Sequence, residues 1–109
     1  MIDKRDLFKK EEIELAEFAW ALSHPARIAI LKMLSEKNVC VCGEIVEVIP
    51  LAQATVSQHL KELKKAELIS GTIDGAKSCY CINWEKLGRC IKNLNKLSGS
   101  MEKAKQKSC

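Results

Sequence analysis

The stretch QATVSQHLKELKKA, residues 53–66, decides the architecture. Val56, Leu60 and Leu63 fall at i, i+4 and i+7, so they share one face of an α-helix and form its buried stripe. Gln53, Thr55, Ser57, Gln58 and His59 furnish the rest of its N-terminal half, and Lys61, Lys64 and Lys65 lie off the stripe. Immediately upstream, Glu44 to Ile49 makes one or two helical turns and stops before Pro50, because the residue preceding proline is pushed out of the α region. Downstream the period changes. Leu68 to Ile73 and Ser78 to Asn83 are rich in strand formers, and Asp74-Gly75 between them signals a hairpin with a loop of about four residues. A short helix, a long helix and then a hairpin is the order of a winged helix-turn-helix. In that fold the long helix enters the DNA major groove and the hairpin lies along the backbone.

The flanks fit this frame. Leu7, Phe8, Leu15, Phe18, Ala19 and Leu22 are set among charges, which predicts an amphipathic first helix over about residues 5–22. Ser23-His24-Pro25 interrupts it. Pro25 suits the first turn of a new helix, with Ser23 or His24 as its cap. Ile28, Leu31 and Leu34 carry that helix over 25–36. Val39 to Gly43 is short and extended. After Trp84 the helical period returns with Leu87, Ile91, Leu94, Leu97 and Met101, predicting a last helix over about 84–102 and a frayed tail KAKQKSC. That stripe is longer than one small core needs, so a homodimer is expected, with the first helix packed against the last.

The 109 residues make one small domain, 1–109, mainly α with a small β-hairpin. Hydrophobic residues at 47% and charged residues at 29% exclude wholesale disorder. Aromatics are 5%, too few for a stacking surface that grips single-stranded RNA. The net charge of +4 permits a nucleic-acid partner without demanding one. No apolar run approaches the roughly 18 residues of a membrane span, and the charged start MIDKRDLFKKEE lacks a signal peptide's apolar stretch. A cytoplasmic location is expected. Six cysteines in such a compartment should be reduced thiols, available for metal binding or redox chemistry.

ALSHPARIAILKML, NVCVCGEIVEVIPLAQATVSQHLKELKKAELI and the hairpin segment CYCIN together resemble the ArsR/SmtB family of small metal-responsive repressors, over about residues 15–97. The resemblance implies a homodimer paired through its first and last helices. It also implies operator binding that ends when a soft metal or metalloid binds. Cys40-Val41-Cys42 resembles the family's arsenic-sensing box, which implies As(III) or Sb(III) as effector and no organic cofactor. The box's third cysteine is replaced here by Ile45, and the Asp after its second cysteine by Gly43. The family's zinc site on the last helix is absent, since the two histidines are His24 and His59. So is its N-terminal thiolate site, since no cysteine precedes Cys40.

In a helix-turn-helix the N-terminal half of the second helix faces base edges. Gln53, Thr55, Ser57, Gln58 and His59 are therefore the candidate readers. Gln pairs bidentately with adenine, and Thr offers a methyl to thymine and a hydroxyl. Lys61, Lys64 and Lys77 are candidate phosphate contacts, with Lys65 beside them. For His59 a phosphate contact and a plain surface position both stay open. For His24 a capping or packing role is favoured over a ligand role.

Cys40 and Cys42 in a turn can converge on one soft ion. Cys79 and Cys81, at i and i+2 of the second wing strand, share a face, and Tyr80 and Ile82 take the core face. At about 6.6 Å between Cα atoms, Cys79 and Cys81 are near the upper limit for a disulfide. Either could supply the missing third ligand, as could Cys109. Cys90 reads as packing on the last helix. Two rivals remain: a thiol-redox repressor of the same fold, with an oxidisable pair such as Cys42 and Cys109, and a structural zinc module of Cys40, Cys42, Cys79 and Cys81. No carboxylate pair, phosphate loop or triad suggests an enzyme.

Overall fold

The computed structural model describes residues 4–37, 41–42, 49–72 and 79–107. A 3-10 turn at Lys4–Leu7 is followed by α1 (Lys10–Ala21), α2 (Pro25–Lys37), β1 (Val41–Cys42), α3 (Gln53–Lys65), β2 (Ile69–Thr72), β3 (Cys79–Ile82) and α4 (Trp84–Lys107). The expected short helix at 44–49 and the Asp74-Gly75 turn lie outside the described residues, save Ile49, which is buried.

Local chemistry sets the boundaries. The first helix does not run unbroken from residue 5. It is split at Phe8–Lys9, where Lys9 N–H donates to Glu12 Oε1 at 2.9 Å and starts α1 afresh. His24 caps α2: its Nδ1 accepts from the Ala26 N–H at 3.0 Å, and Pro25 takes the first helical position. At the far end of α3 the Leu68 N–H donates to Leu63 O at 3.1 Å and the Glu67 N–H to Lys64 O at 2.9 Å. This is a Schellman closure, with Glu67 in the left-handed region at φ 63°. It turns the chain from helix into β2.

The sheet is larger than a hairpin. Its strand order is β1-β3-β2, all antiparallel, so the short extended segment before the helix-turn-helix unit becomes a third strand. Cys42 sits opposite Cys79, and Gly71 of β2 sits opposite Tyr80. Gly71 has φ +138°, and a Cβ there would collide with the Cys79 carbonyl. Only glycine lets the two wing strands approach this closely.

One core joins these elements. Phe18 and Ala21 of α1, Ile30, Leu31 and Leu34 of α2, and Val56, Leu60 and Leu63 of α3 meet Leu68, Ile69, Tyr80 and Ile82 of the wing. From α4 only Leu87 and Cys90 are buried. The helix nevertheless continues to Lys107, so the tail expected to fray is helical as far as that residue, and residues 108–109 lie outside the described set. Good helix formers (MEKAKQK) sustain it there without a core beneath.

Candidate DNA-reading face and thiol cluster

The buried stripe of α3 fixes what the helix presents. With Val56, Leu60 and Leu63 inward, Gln53, Thr55, Gln58, Lys61 and Lys64 are exposed and Ser57 is half-buried. Gln58 Nε2 donates to Glu62 Oε1 at 3.2 Å, one turn on along the helix. Lys64 Nζ donates to Gly71 O at 2.6 Å and so ties α3 to the wing. Its ammonium serves the fold as well as lying on the basic edge. Lys77 lies outside the described residues.

His59 does not join this face. Its side chain is only 8% exposed, and its Nδ1 accepts from Arg27 Nε at 3.2 Å. The His24 ring packs against it with centroids 4.2 Å apart. Arg27, equally buried, also donates through Nη1 to Trp20 O at 3.0 Å and lies 5.7 Å over the Trp20 ring. The expectation of a surface or phosphate-contacting histidine is therefore corrected. His59 is the point where α3 is keyed to α2 and, through Arg27, to the end of α1. Burial pushes its pKa below the usual imidazole range, and the neighbouring His24 and Arg27 push it the same way, against a weaker opposite pull from Glu62. The signal missed in the sequence is Arg27, three residues after His24: it supplies a donor that needs a buried acceptor.

The cysteines divide. Cys90 is buried on α4, and burial pushes its thiol pKa up, as expected for a packing residue. Cys79 and Cys81 are half-buried on one face of β3, and Tyr80 and Ile82 are buried on the other, as the alternation predicted. Both are disulfide-bonded. This corrects the expectation that all six would be thiols. Cys40, Cys109 and the Cys42 side chain lie outside the described residues, and among the described residues no group of three or more His, Cys, Asp or Glu is placed to hold a metal.

An exposed helix backed by a sheet, with a two-strand wing following it, defines a winged helix-turn-helix regulator. The family comparison agrees: residues 24–70 match the family model "Bacterial regulatory protein, arsR family". The chain is 34% identical to the arsenical resistance operon repressor of Staphylococcus aureus, over 83% of this chain and 86% of that protein. It is 42% identical to the transcriptional repressor SmtB of Mycobacterium tuberculosis over 59% of this chain, which covers 47% of that protein. A crystal structure of an ArsR family transcriptional regulator superposes with a TM-score of 0.71 at 16% identity, covering 94% of this chain and all of that one. This chain belongs to the ArsR family of transcriptional regulators, and it is a DNA-binding regulator rather than an enzyme. Among the described residues no helix is long and apolar enough to cross a membrane.

Proposed function

We propose that this protein is a homodimeric repressor that holds operator DNA and releases it when trivalent arsenic or antimony binds at Cys40 and Cys42. The observation that carries this reading is the pairing of β1 with β3. It sets Cys42, at the end of the Cys-x-Cys segment, beside the wing and ahead of the reading helix. The names of its relatives, an arsenical resistance repressor among them, point the same way.

The chain's own residues perform the binding. Gln53, Thr55, Ser57 and Gln58 read base edges from α3, and Lys61, Lys64 and Lys77 contact phosphates. A thiophilic effector at residues 40–42 alters the strand that enters the sheet and the segment that leads into α3. Through the β1-β3-β2 ladder the same strain reaches the wing. By linkage, DNA weakens effector binding by the factor by which the effector weakens DNA binding, typically worth about 1–3 kcal/mol.

Cys40→Ser and Cys42→Ser are the test, on DNA selected from the protein's own regulatory region. Each variant should bind DNA like the parent and stay bound when arsenite is added, because a hydroxyl is a poor partner for a soft metalloid. A Cys40→Ser protein that leaves DNA with arsenite as the parent does would sink the reading. The disulfides at Cys79 and Cys81 favour a second reading, a repressor of the same fold that responds to oxidation and draws on its wing cysteines.

A further inference from the structure

We propose that Cys79 on the wing strand supplies the third sulfur of the metalloid site, and that a Cys42–Cys79 disulfide closes that site when the cell is oxidised. The proposal rests on the metalloid reading above and adds a redox gate to it.

The geometry starts from register. Cys42 and Cys79 are direct Cα partners on adjacent antiparallel strands. Directly opposed residues lie about 4.5–5.5 Å apart at Cα, inside the range of about 4.4–6.8 Å that a disulfide spans. Cys81 is a poorer partner for Cys79, since neighbours at i and i+2 of a strand are about 6.6 Å apart. Cys79 is disulfide-bonded and half-buried, on the face of β3 that Cys81 shares. The strand that lacks a third cysteine within its own Cys-x-Cys segment thus faces one supplied by the wing.

The two chemistries compete for the same sulfurs. Arsenite, As(OH)3, exchanges its three hydroxyls for three thiolates. Each thiol gives up its proton, and three waters leave without any change of oxidation state. Oxidation needs an acceptor, and a low-molecular-weight disulfide is the class proposed. The Cys79 thiolate attacks one of its sulfurs and expels a thiolate, and the Cys42 thiolate then attacks the mixed disulfide and expels the second. Two electrons pass from the protein pair to the small disulfide, which leaves as two thiols. A Cys42–Cys79 disulfide has no thiolate to offer arsenic, and arsenic-bound thiolates cannot attack.

The experiment uses the full-length protein, reduced and desalted, with oxidised glutathione and arsenite as the probes. Arsenite stoichiometry is measured by mass spectrometry of bound arsenic, and disulfides are mapped on peptides without reduction. The reduced parent should bind one arsenic per protomer, and after oxidised glutathione it should bind none and yield a Cys42–Cys79 crosslink. Arsenite added first should prevent that crosslink. Cys79→Ser should bind arsenite more weakly by at least about tenfold, the lower end of what even an outer-shell partner of a metal site costs, and Cys90→Ser should bind like the parent. Circular dichroism confirms that the variants are folded, and the parent's crosslink and its protection need no variant. Absence of the crosslink, its formation despite bound arsenite, or undiminished arsenite affinity in Cys79→Ser overturns the proposal. In the last case the parent's arsenite response would leave the metalloid reading standing. A reduced parent that binds no arsenite overturns both.

Discussion

His59 and Arg27 concentrate the consequences of single residues. The Arg27 Nε–His59 Nδ1 hydrogen bond is buried on both sides, so truncating His59 to Ala leaves a buried cationic donor without its acceptor. Such a loss costs about 1–3 kcal/mol. Chemical denaturation of His59→Ala should show that drop, together with loosened placement of α3 and weaker DNA binding. The pH dependence follows from the same contact. His59's pKa is held below its unfolded value, first by burial and then by His24 and Arg27. The unfolded chain therefore binds the proton more readily. Stability present above the unfolded value, about 6.5, is lost as pH falls through the interval down to the folded value. Denaturation midpoints of the parent should decline from pH 7 to pH 5 more steeply than those of His59→Gln. Parallel curves would exclude His59 as the titrating group.

Among the elements, the turn from α3 into the wing is where substitutions have opposite signs. Glu67 occupies the left-handed region at φ 63°, which costs an L-residue roughly 1–2 kcal/mol. Glu67→Gly removes that cost and keeps both backbone bonds of the Schellman closure, so thermal unfolding should move upward. Four residues on, Gly71→Ala should do the reverse. Its φ of +138° and the Cys79 carbonyl leave no room for a Cβ, and the strain of about 1–3 kcal/mol should appear as a lower midpoint. Because Lys64 donates to the Gly71 carbonyl, the same change should also disturb the basic edge of α3 and reduce DNA affinity. Equal midpoints for Gly71→Ala and the parent would refute the close-approach account.

At the level of the whole molecule the unfinished surface is on α1 and α4. Ile91, Leu94, Leu97 and Met101 are 41–58% exposed along α4, and Phe8 and Trp20 are exposed on the α1 side. Polar contacts between the two helices include the exposed Glu11–Lys96 pair at 3.4 Å and the Asn93 Nδ2 bond to Glu11 O at 3.1 Å. An exposed pair of this kind contributes about 0–1 kcal/mol, so apolar contact decides whether the helices stay together. A second copy covering the stripe would bury it. Sedimentation at micromolar concentration should give a dimer, and Ile91→Glu should give a monomer that no longer binds operator. A monomeric parent would rule out the dimer proposal. In the dimer, two copies of α3 imply half-sites about one helical turn, or a multiple of it, apart. Gln53→Ala or Thr55→Ala should then cost about 1–3 kcal/mol on the specific site and little on random DNA.

The periodicity of Val56, Leu60 and Leu63, the cap at His24-Pro25 and the alternation around Tyr80 and Ile82 all act between residues near in sequence. The sequence alone therefore determined α2, α3, the wing and the inward and outward faces of β3. Helix length was less legible: α4 outruns its apolar stripe because intrinsic propensity continues it to Lys107 after burial has ended. Distant pairings were decided only by the tertiary structure. Arg27 and His59 are thirty-two residues apart, and nothing local in QHL announces that its histidine faces inward to a guanidinium. Cys42 and Cys79 are brought opposite each other by β1 joining the sheet, which a two-residue strand is too short to signal by alternation. Side-chain patterns report which face of an element is buried. Which other element lies against that face is set by packing the whole chain into one core.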